Sequence, residues 1–164
     1  MSDNDLGTTN NTGCTTRAIR TTLNGTTLNS LSNSPQIKQV QKTYLLGGST
    51  SSAPVTTTAT SNDKLWLLSC SEIWKDGRDT NAPYGFAAGK EGEQYKYYKI
   101  LDASAGTDED ELIKTENSST TAAIWWLRSP YYGNGDTFCL VSTTGYCNRD
   151  NVYFSFGVAP GFAI

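Results

Sequence analysis

The stretch Ala122-Ala123-Ile124-Trp125-Trp126-Leu127-Arg128-Ser129-Pro130 decides how the rest of the chain is read. Its apolar run, Ala122 to Leu127, predicts a strand. Adjacent strand residues point to opposite faces, so Trp125 and Trp126 cannot both line one site, and both are expected in the core. Arg128 closes the strand. A guanidinium there is expected to be buried or half-buried and paired with Glu72 or Asp63 rather than bound to a ligand.

Working upstream, Asp63-Lys64 leads into Leu65-Trp66-Leu67-Leu68, a second short apolar run that fits a strand buried on both faces. Ser69 or Ser71 can start a helix through Glu72, Ile73 and Trp74. Gln94 to Leu101 fits a helix that puts Tyr95, Tyr98 and Leu101 on the core; a sugar-stacking role for Tyr95, Tyr97 and Tyr98 is the weaker reading. Asp76 to Gly92 carries four glycines and a proline and is expected to be mostly loop. Nearer the start, Thr15 or Thr16 can cap a short helix through Arg17, Ala18, Ile19, Arg20 and Leu23, ended by Gly25. A further helical turn fits Leu28 to Leu31, stopped before Pro35. Ile37 to Leu46 fits an edge strand, with a helix left open by the spacing of Ile37 and Val40. Gly47 to Asn62 is expected to be a long surface loop, and Ser2 to Gly13 a loose, polar leader.

Downstream of Pro130, Thr137 to Ser142, Asn151 to Ser155 and Val158 to Ile164 predict three short strands separated by Gly145 and Gly157. Few helices and several short strands point to one antiparallel α+β domain over residues 14–164, preceded by a flexible segment, residues 1–13.

Composition removes several functions. Histidine is absent, which excludes Ser-His-Asp, Cys-His and His-rich metal chemistry within the chain. A net charge of -3 disfavours binding to nucleic-acid phosphates. No apolar run reaches the roughly 20 residues that span a bilayer, so no direct membrane insertion is expected. The polar start lacks the basic and apolar regions of a signal peptide. Cys14, Cys70, Cys139 and Cys147 have no CxxC spacing; their connectivity stays open, with free thiols favoured in a chain large enough to need no staples. The run Asp108-Glu109-Asp110-Glu111 lacks the spaced oxygens of a calcium loop and is expected to be a solvated helix start, with no metal.

The tail has a filtered alphabet. Ser129 to Ile164 contains no Lys, Glu, Gln, Met or Trp, although the first 128 residues carry 23 of these. The residue types that remain all fall among the fifteen encoded by codons ending in a pyrimidine, which random replacement of adenines in Asn codons would generate. The tail therefore reads as a diversified surface set in a fixed frame.

Four blocks in order carry a resemblance: Leu23-Asn24-Gly25; Asp63 to Ser69 followed by Glu72; Trp125-Trp126-Leu127-Arg128-Ser129-Pro130; and Gly157-Val158-Ala159-Pro160-Gly161-Phe162. Together they resemble the DUF6273-type family of bacterial and phage proteins over about residues 14–164. The resemblance implies a C-type-lectin-like fold, similar to that of formylglycine-generating enzymes, with short antiparallel strands and two or three helices. It also implies kinship with the variable proteins of diversity-generating retroelements, whose variable segment is C-terminal; here that segment would be about residues 131–156.

On that reading Phe138, Val141, Gly145, Ser155, Gly157, Val158, Pro160, Gly161, Phe162 and Ile164 are frame positions. The ligand-binding positions are Tyr131, Tyr132, Asn134, Asp136, Thr137, Leu140, Ser142, Thr143, Thr144, Tyr146, Cys147, Asn148, Arg149, Asp150, Asn151, Tyr153, Phe154 and Phe156. Tyrosines with small polar neighbours suit recognition, since an aromatic ring gives large contact area for two frozen torsions. The expected function is display of a binding surface, without catalysis or cofactor, to a protein or glycan ligand on a cell or phage surface. The carrier would be a phage tail or a bacterial cell surface. The alternative is a non-diversified adhesive or structural domain of the same fold.

Three further expectations follow. The Glu-Pro-Asn, Gln-Pro-Asp and Trp-Asn-Asp signatures of calcium-dependent sugar binding are absent, so that activity does not carry over. Cys139 and Cys147 could mimic the cysteine pair of a formylglycine-generating oxidase, but the rest of such a site is missing. The exposed members Tyr131, Tyr132, Asp136, Tyr146, Asn148, Arg149, Asp150, Asn151 and Tyr153 are expected to share one continuous face, as a partner needs roughly 800 Å².

Overall fold

The computed structural model describes residues 18–46, 57–75, 90–116, 119–131 and 135–164. The expectations for Ser2 to Gly13, Thr15 and Thr16, for most of the Asp76 to Gly92 segment, and for Tyr132 and Asn134 lie outside these residues. The chain folds as a mixed α+β domain of short helices and antiparallel sheets.

Its centre is strand β6 (Trp125–Pro130), every residue of which is buried. β6 pairs antiparallel with β7 (Thr137–Val141), which pairs antiparallel with β8 (Cys147–Asn151) at the edge. On its other side β6 runs parallel to the short β9 (Gly157–Val158). Successive residues alternate across this sheet and divide the core in two. Trp125 and Leu127 join Cys139, Val141 and Trp74 in one cluster, and Trp126 joins Phe138, Leu140 and Val152 in the other. The expectation that both tryptophans are core is met, at 1% and 0% exposure.

Between Trp126, opposite Leu140, and Pro130, opposite Phe138, β6 holds two more residues than its partner. This bulge frees the strand from β7, and the Arg128 N–H bonds instead to the Leu68 carbonyl at 2.9 Å. The irregularity also accommodates Pro130, which has no N–H for a regular ladder.

Trp66–Leu67 forms β3, buried as expected and paired with β10 (Pro160–Gly161). Ser69 then caps α3 (Cys70–Ile73) with a reciprocal box: its hydroxyl accepts from the Glu72 N–H, and the Glu72 carboxylate accepts from the Ser69 N–H. The helix predicted over Gln94 to Leu101 is α4 (Lys96–Ile100). Tyr98 is buried, with Tyr95 and Leu101 packed on the same cluster.

Three expectations are corrected. Gly25 does not end the first helix; α1 (Ala18–Thr22) continues through a π-helical turn, Leu23–Thr27, into α2 (Leu28–Ser30). Gly25 is not in the left-handed conformation, and the Asn24 side chain ties this turn to the Lys64 and Leu65 amides. The Gly47 to Asn62 segment is not all loop. Thr58–Asp63 forms β2 in full register with β1 (Val40–Leu45), the strand expected within Ile37 to Leu46. Finally, Asn151 to Ser155 is not a strand: the strand lies earlier, as β8, and Val152 to Phe154 turn away with the Phe154 N–H bonded to the Asn151 carbonyl. The two-stranded pair β4 (Lys114–Thr115) and β5 (Ala122–Ala123) completes the sheets.

Candidate functional site

A buried ionic knot holds the inner ends of these elements together. Arg128, fully buried, pairs with Glu72 at 2.5 Å and donates to the Leu67, Thr43 and Glu91 carbonyls. Of the two partners expected for it, Glu72 is the one observed; Asp63 is taken by Arg20 at 2.7 Å and by the Tyr44 hydroxyl at 2.6 Å. Glu72 also accepts from Lys42 Nζ and from the Tyr95 hydroxyl at 2.7 Å. Behind it Glu91 accepts from the Leu45 N–H and from the Ser129 hydroxyl, whose oxygen accepts from the Cys70 N–H.

Burial raises the Glu72 pKa, but the Arg128 and Lys42 charges outweigh it and hold the carboxyl below its ordinary value. At Glu91 burial prevails over Arg128 and pushes the carboxyl up. Burial likewise lowers Lys42 despite Glu72. With its charges paired and its hydrogen-bonding capacity largely used, the knot is structural. Sequence reasoning missed Lys42 and Glu91. Lys42 alternates with Val40 and Tyr44 on one face of β1, so a lysine at an inward position was the available signal.

The cysteines found in the core are equally committed to structure. Cys70, Cys139 and Cys147 are all fully buried. Cys147 sits opposite Val141 and Cys139 opposite Arg149, so the two do not face each other across the β7–β8 hairpin. The hydrogen bond with Cys70 together with burial pushes the Cys139 thiol well up, and burial does the same at Cys70, which opposes a nucleophilic thiolate. Among the described residues, no group of three or more Cys, Asp or Glu side chains could hold a metal ion.

The predicted ligand-binding residues distribute as follows. Three are buried: Thr137 and Leu140, both on β7 between two strands, and Cys147. Six gather at the outer end of the β6–β7–β8 corner: Tyr131, Asp136, Asn148, Arg149, Asp150 and Asn151. Arg149 lies 4.4 Å from the centre of the Tyr131 ring, Tyr131 donates its N–H to the Thr137 carbonyl, and Thr137 donates its hydroxyl to Asn151. Half-buried Asp136 accepts from the Val152 N–H through its carbonyl. Asn148, Arg149, Asp150 and Asn151 with Thr137 line a shallow depression of about 300 Å³. Beyond the strand, Tyr153 and Phe154 stand 53% and 52% exposed, while half-buried Phe156 leans on Trp126 at 5.1 Å and on Phe154 at 6.0 Å.

At the opposite end of β8, the turn holds half-buried Ser142 and exposed Thr143 and Thr144, the last bonded to Asp108 at 2.7 Å. Gly145 is required there. Its φ of +79° is left-handed, and a Cβ would lie 1.9 Å from the Glu109 carbonyl oxygen. Tyr146 packs on the core.

The expectation of one continuous face is therefore corrected. Along β8, Arg149 and Asn151 share the face of Cys147, whereas Asn148 and Asp150 point to the other. The displayed feature is an edge with two sides. Some frame positions also differ from expectation: Phe138, Val141 and Gly145 are buried, but Ser155, Pro160, Phe162 and Ile164 are exposed.

These features define a mixed α+β domain built around an ionic knot, with a polar and aromatic C-terminal edge. The chain belongs to the family described as "Domain of unknown function (DUF6273)", which matches residues 7–164. No curated protein and no solved structure matches it. Among the described residues no helix is long and apolar enough to cross a membrane.

Proposed function

We propose that the chain is a ligand-recognition domain of C-type-lectin-like architecture whose C-terminal edge is the diversified target of a diversity-generating retroelement. It carries out no chemistry. Its partner is a protein or glycan on a cell or phage surface, and its carrier is a phage tail or a bacterial cell surface, with no nucleic acid bound and no membrane entered.

One coincidence carries the reading. The segment from Ser129 onward, which uses no Lys, Glu, Gln, Met or Trp, is the segment that supplies the edge strand β8 and the exposed Tyr153 and Phe154. Two exposed aromatics, an arginine over half-buried Tyr131 and small polar groups match the composition of binding hot spots. An edge strand can be gripped from both sides, so division of its residues between two faces is compatible with a partner that wraps it. The same division favours, as a second reading, a non-diversified adhesive domain that contacts one fixed partner through only one of the two sides.

The encoding gene separates the two. Diversification predicts a nearby reverse transcriptase and a near-identical template repeat that differs from the codons of about residues 131–156 at adenines alone. A gene without a second copy, or with differences at other bases, rejects diversification and leaves the fixed adhesive domain.

A further inference from the structure

A hollow of about 650 Å³ lies away from the β8 edge and is built mainly by residues outside the filtered segment. Its floor is Trp66 and Tyr95, joined by a 3.2 Å bond from the indole N–H to the Tyr95 hydroxyl. Tyr97 and Phe162 stand on its walls, 57% and 52% exposed, which leaves two large rings in water where a packed domain has no need of them. Gly161 brings the backbone onto the Trp66 ring, where a Cβ would lie 2.8 Å from Nε1, so this wall is fixed against the floor.

The hollow is also one-sided in charge. Among the described residues Lys42 and Lys114 line it and no carboxylate does. The Lys42 ammonium has three donors; Glu72 and the Tyr95 hydroxyl take two, and its nitrogen sits 4.6 Å from the centre of the Trp66 ring. Behind it Arg128 adds a second cation against Glu72 at 2.5 Å.

We infer that this hollow is a binding site for an aromatic ring bearing a carboxylate, with the ring between Tyr97, Phe162 and Trp66 and the carboxylate toward Lys42 and Lys114. The volume fits a small ligand, and the scarcity of polar lining favours a flat apolar ring over a many-hydroxyl one. A free aromatic acid and the C-terminal Phe, Tyr or Trp of a peptide share this chemistry. The site is independent of the proposed recognition edge, and either can fail alone.

The test is titration of the full chain with 3-phenylpropionate and with the peptide Gly-Gly-Phe, each against its carboxamide, followed by tryptophan fluorescence and calorimetry. Saturable binding is expected, with the carboxamides about tenfold or more weaker, the loss of one charge-assisted hydrogen bond. Preference for 3-phenylpropionate identifies a free acid as the source, and preference for Gly-Gly-Phe a peptide terminus. Lys42→Gln strips a partner from Glu72 and can unfold the chain, so the exposed changes Tyr97→Ser and Phe162→Ser carry the decision. Each should weaken binding about fivefold or more with an unchanged melting temperature, a loss in keeping with one ring contact. Absence of millimolar binding by either acid, equal binding of acid and amide, or full binding by both serine variants overturns the site.

Discussion

Strands β6 and β8 belong to one sheet with only β7 between them, yet they meet opposite demands. All six residues of β6 are buried, against Cys147 alone in β8. A central strand covered on both faces must be apolar or fully paired, and its one charge, Arg128, is paired on every side. An edge strand has only its first anchor to satisfy. Cys147 and the following Val152 hold β8 in place, and the residues between them are released for other uses. Asn148, Arg149, Asp150 and Asn151 also keep the open edge polar, which discourages pairing with another chain. Fixed frame and changeable surface thus sit about one strand apart.

The comparison breaks first if β6 proves tolerant. Arg128→Met leaves Glu72 buried with Lys42 as its remaining cation, and urea denaturation is expected to show a loss of about 3–5 kcal/mol. Trp126→Ala should cost a similar amount, about 3–5 kcal/mol, through the cavity left beneath Phe156. A loss under about 1 kcal/mol in either would mean that the centre of the sheet is not the frame.

Acid sharpens the same contrast. The folded pKa of Glu72 lies below the unfolded value of about 4.3, so its contribution is complete above that pH and disappears as the pH falls through the folded value. Glu91 has the opposite sign: its raised folded pKa makes its contribution complete below about pH 4.3 and lost as the pH rises through the folded value. Denaturation curves of Glu72→Gln should be weaker at pH 7 and flatter in acid than those of the parent, whereas Glu91→Gln should remove a loss that sets in above about pH 4.3. Parallel pH profiles for the two variants would contradict these assignments. Smaller again is Ser69→Ala, expected to cost about 1 kcal/mol by removing the cap of α3.

What could be read before the structure follows the same division. The apolar runs around Trp66 and Trp125 announce buried strands because burial leaves little choice of residue, and the Ser69–Glu72 spacing announces a cap because backbone N–H groups demand one. The pairing of Arg128 was legible for a similar reason: a cation in such a run needs an anion. Strand β8 was not, since Cys-Asn-Arg-Asp-Asn has little strand propensity and takes its register from β7. The same applies to β2, whose Thr and Ser residues look like loop until β1 pairs with them. Thr137, Leu140 and Cys147 were misplaced because the filtered alphabet says which residues can vary and says nothing of which way they point.

The most direct test of the division is one measurement on one multiple variant. Asn148→Ser, Arg149→Ser, Tyr153→Ser and Phe154→Ser are combined, and the unfolding free energy is measured beside that of Trp126→Ala. Asn148, Tyr153 and Phe154 are exposed and Arg149 is half-buried; surface changes shift stability by about 0.5 kcal/mol or less each, so the fourfold variant should lose no more than about 2 kcal/mol and stay above Trp126→Ala. A fourfold variant as unstable as Trp126→Ala, or one that fails to fold, would show that the C-terminal edge is part of the frame and contradict its role as a changeable surface.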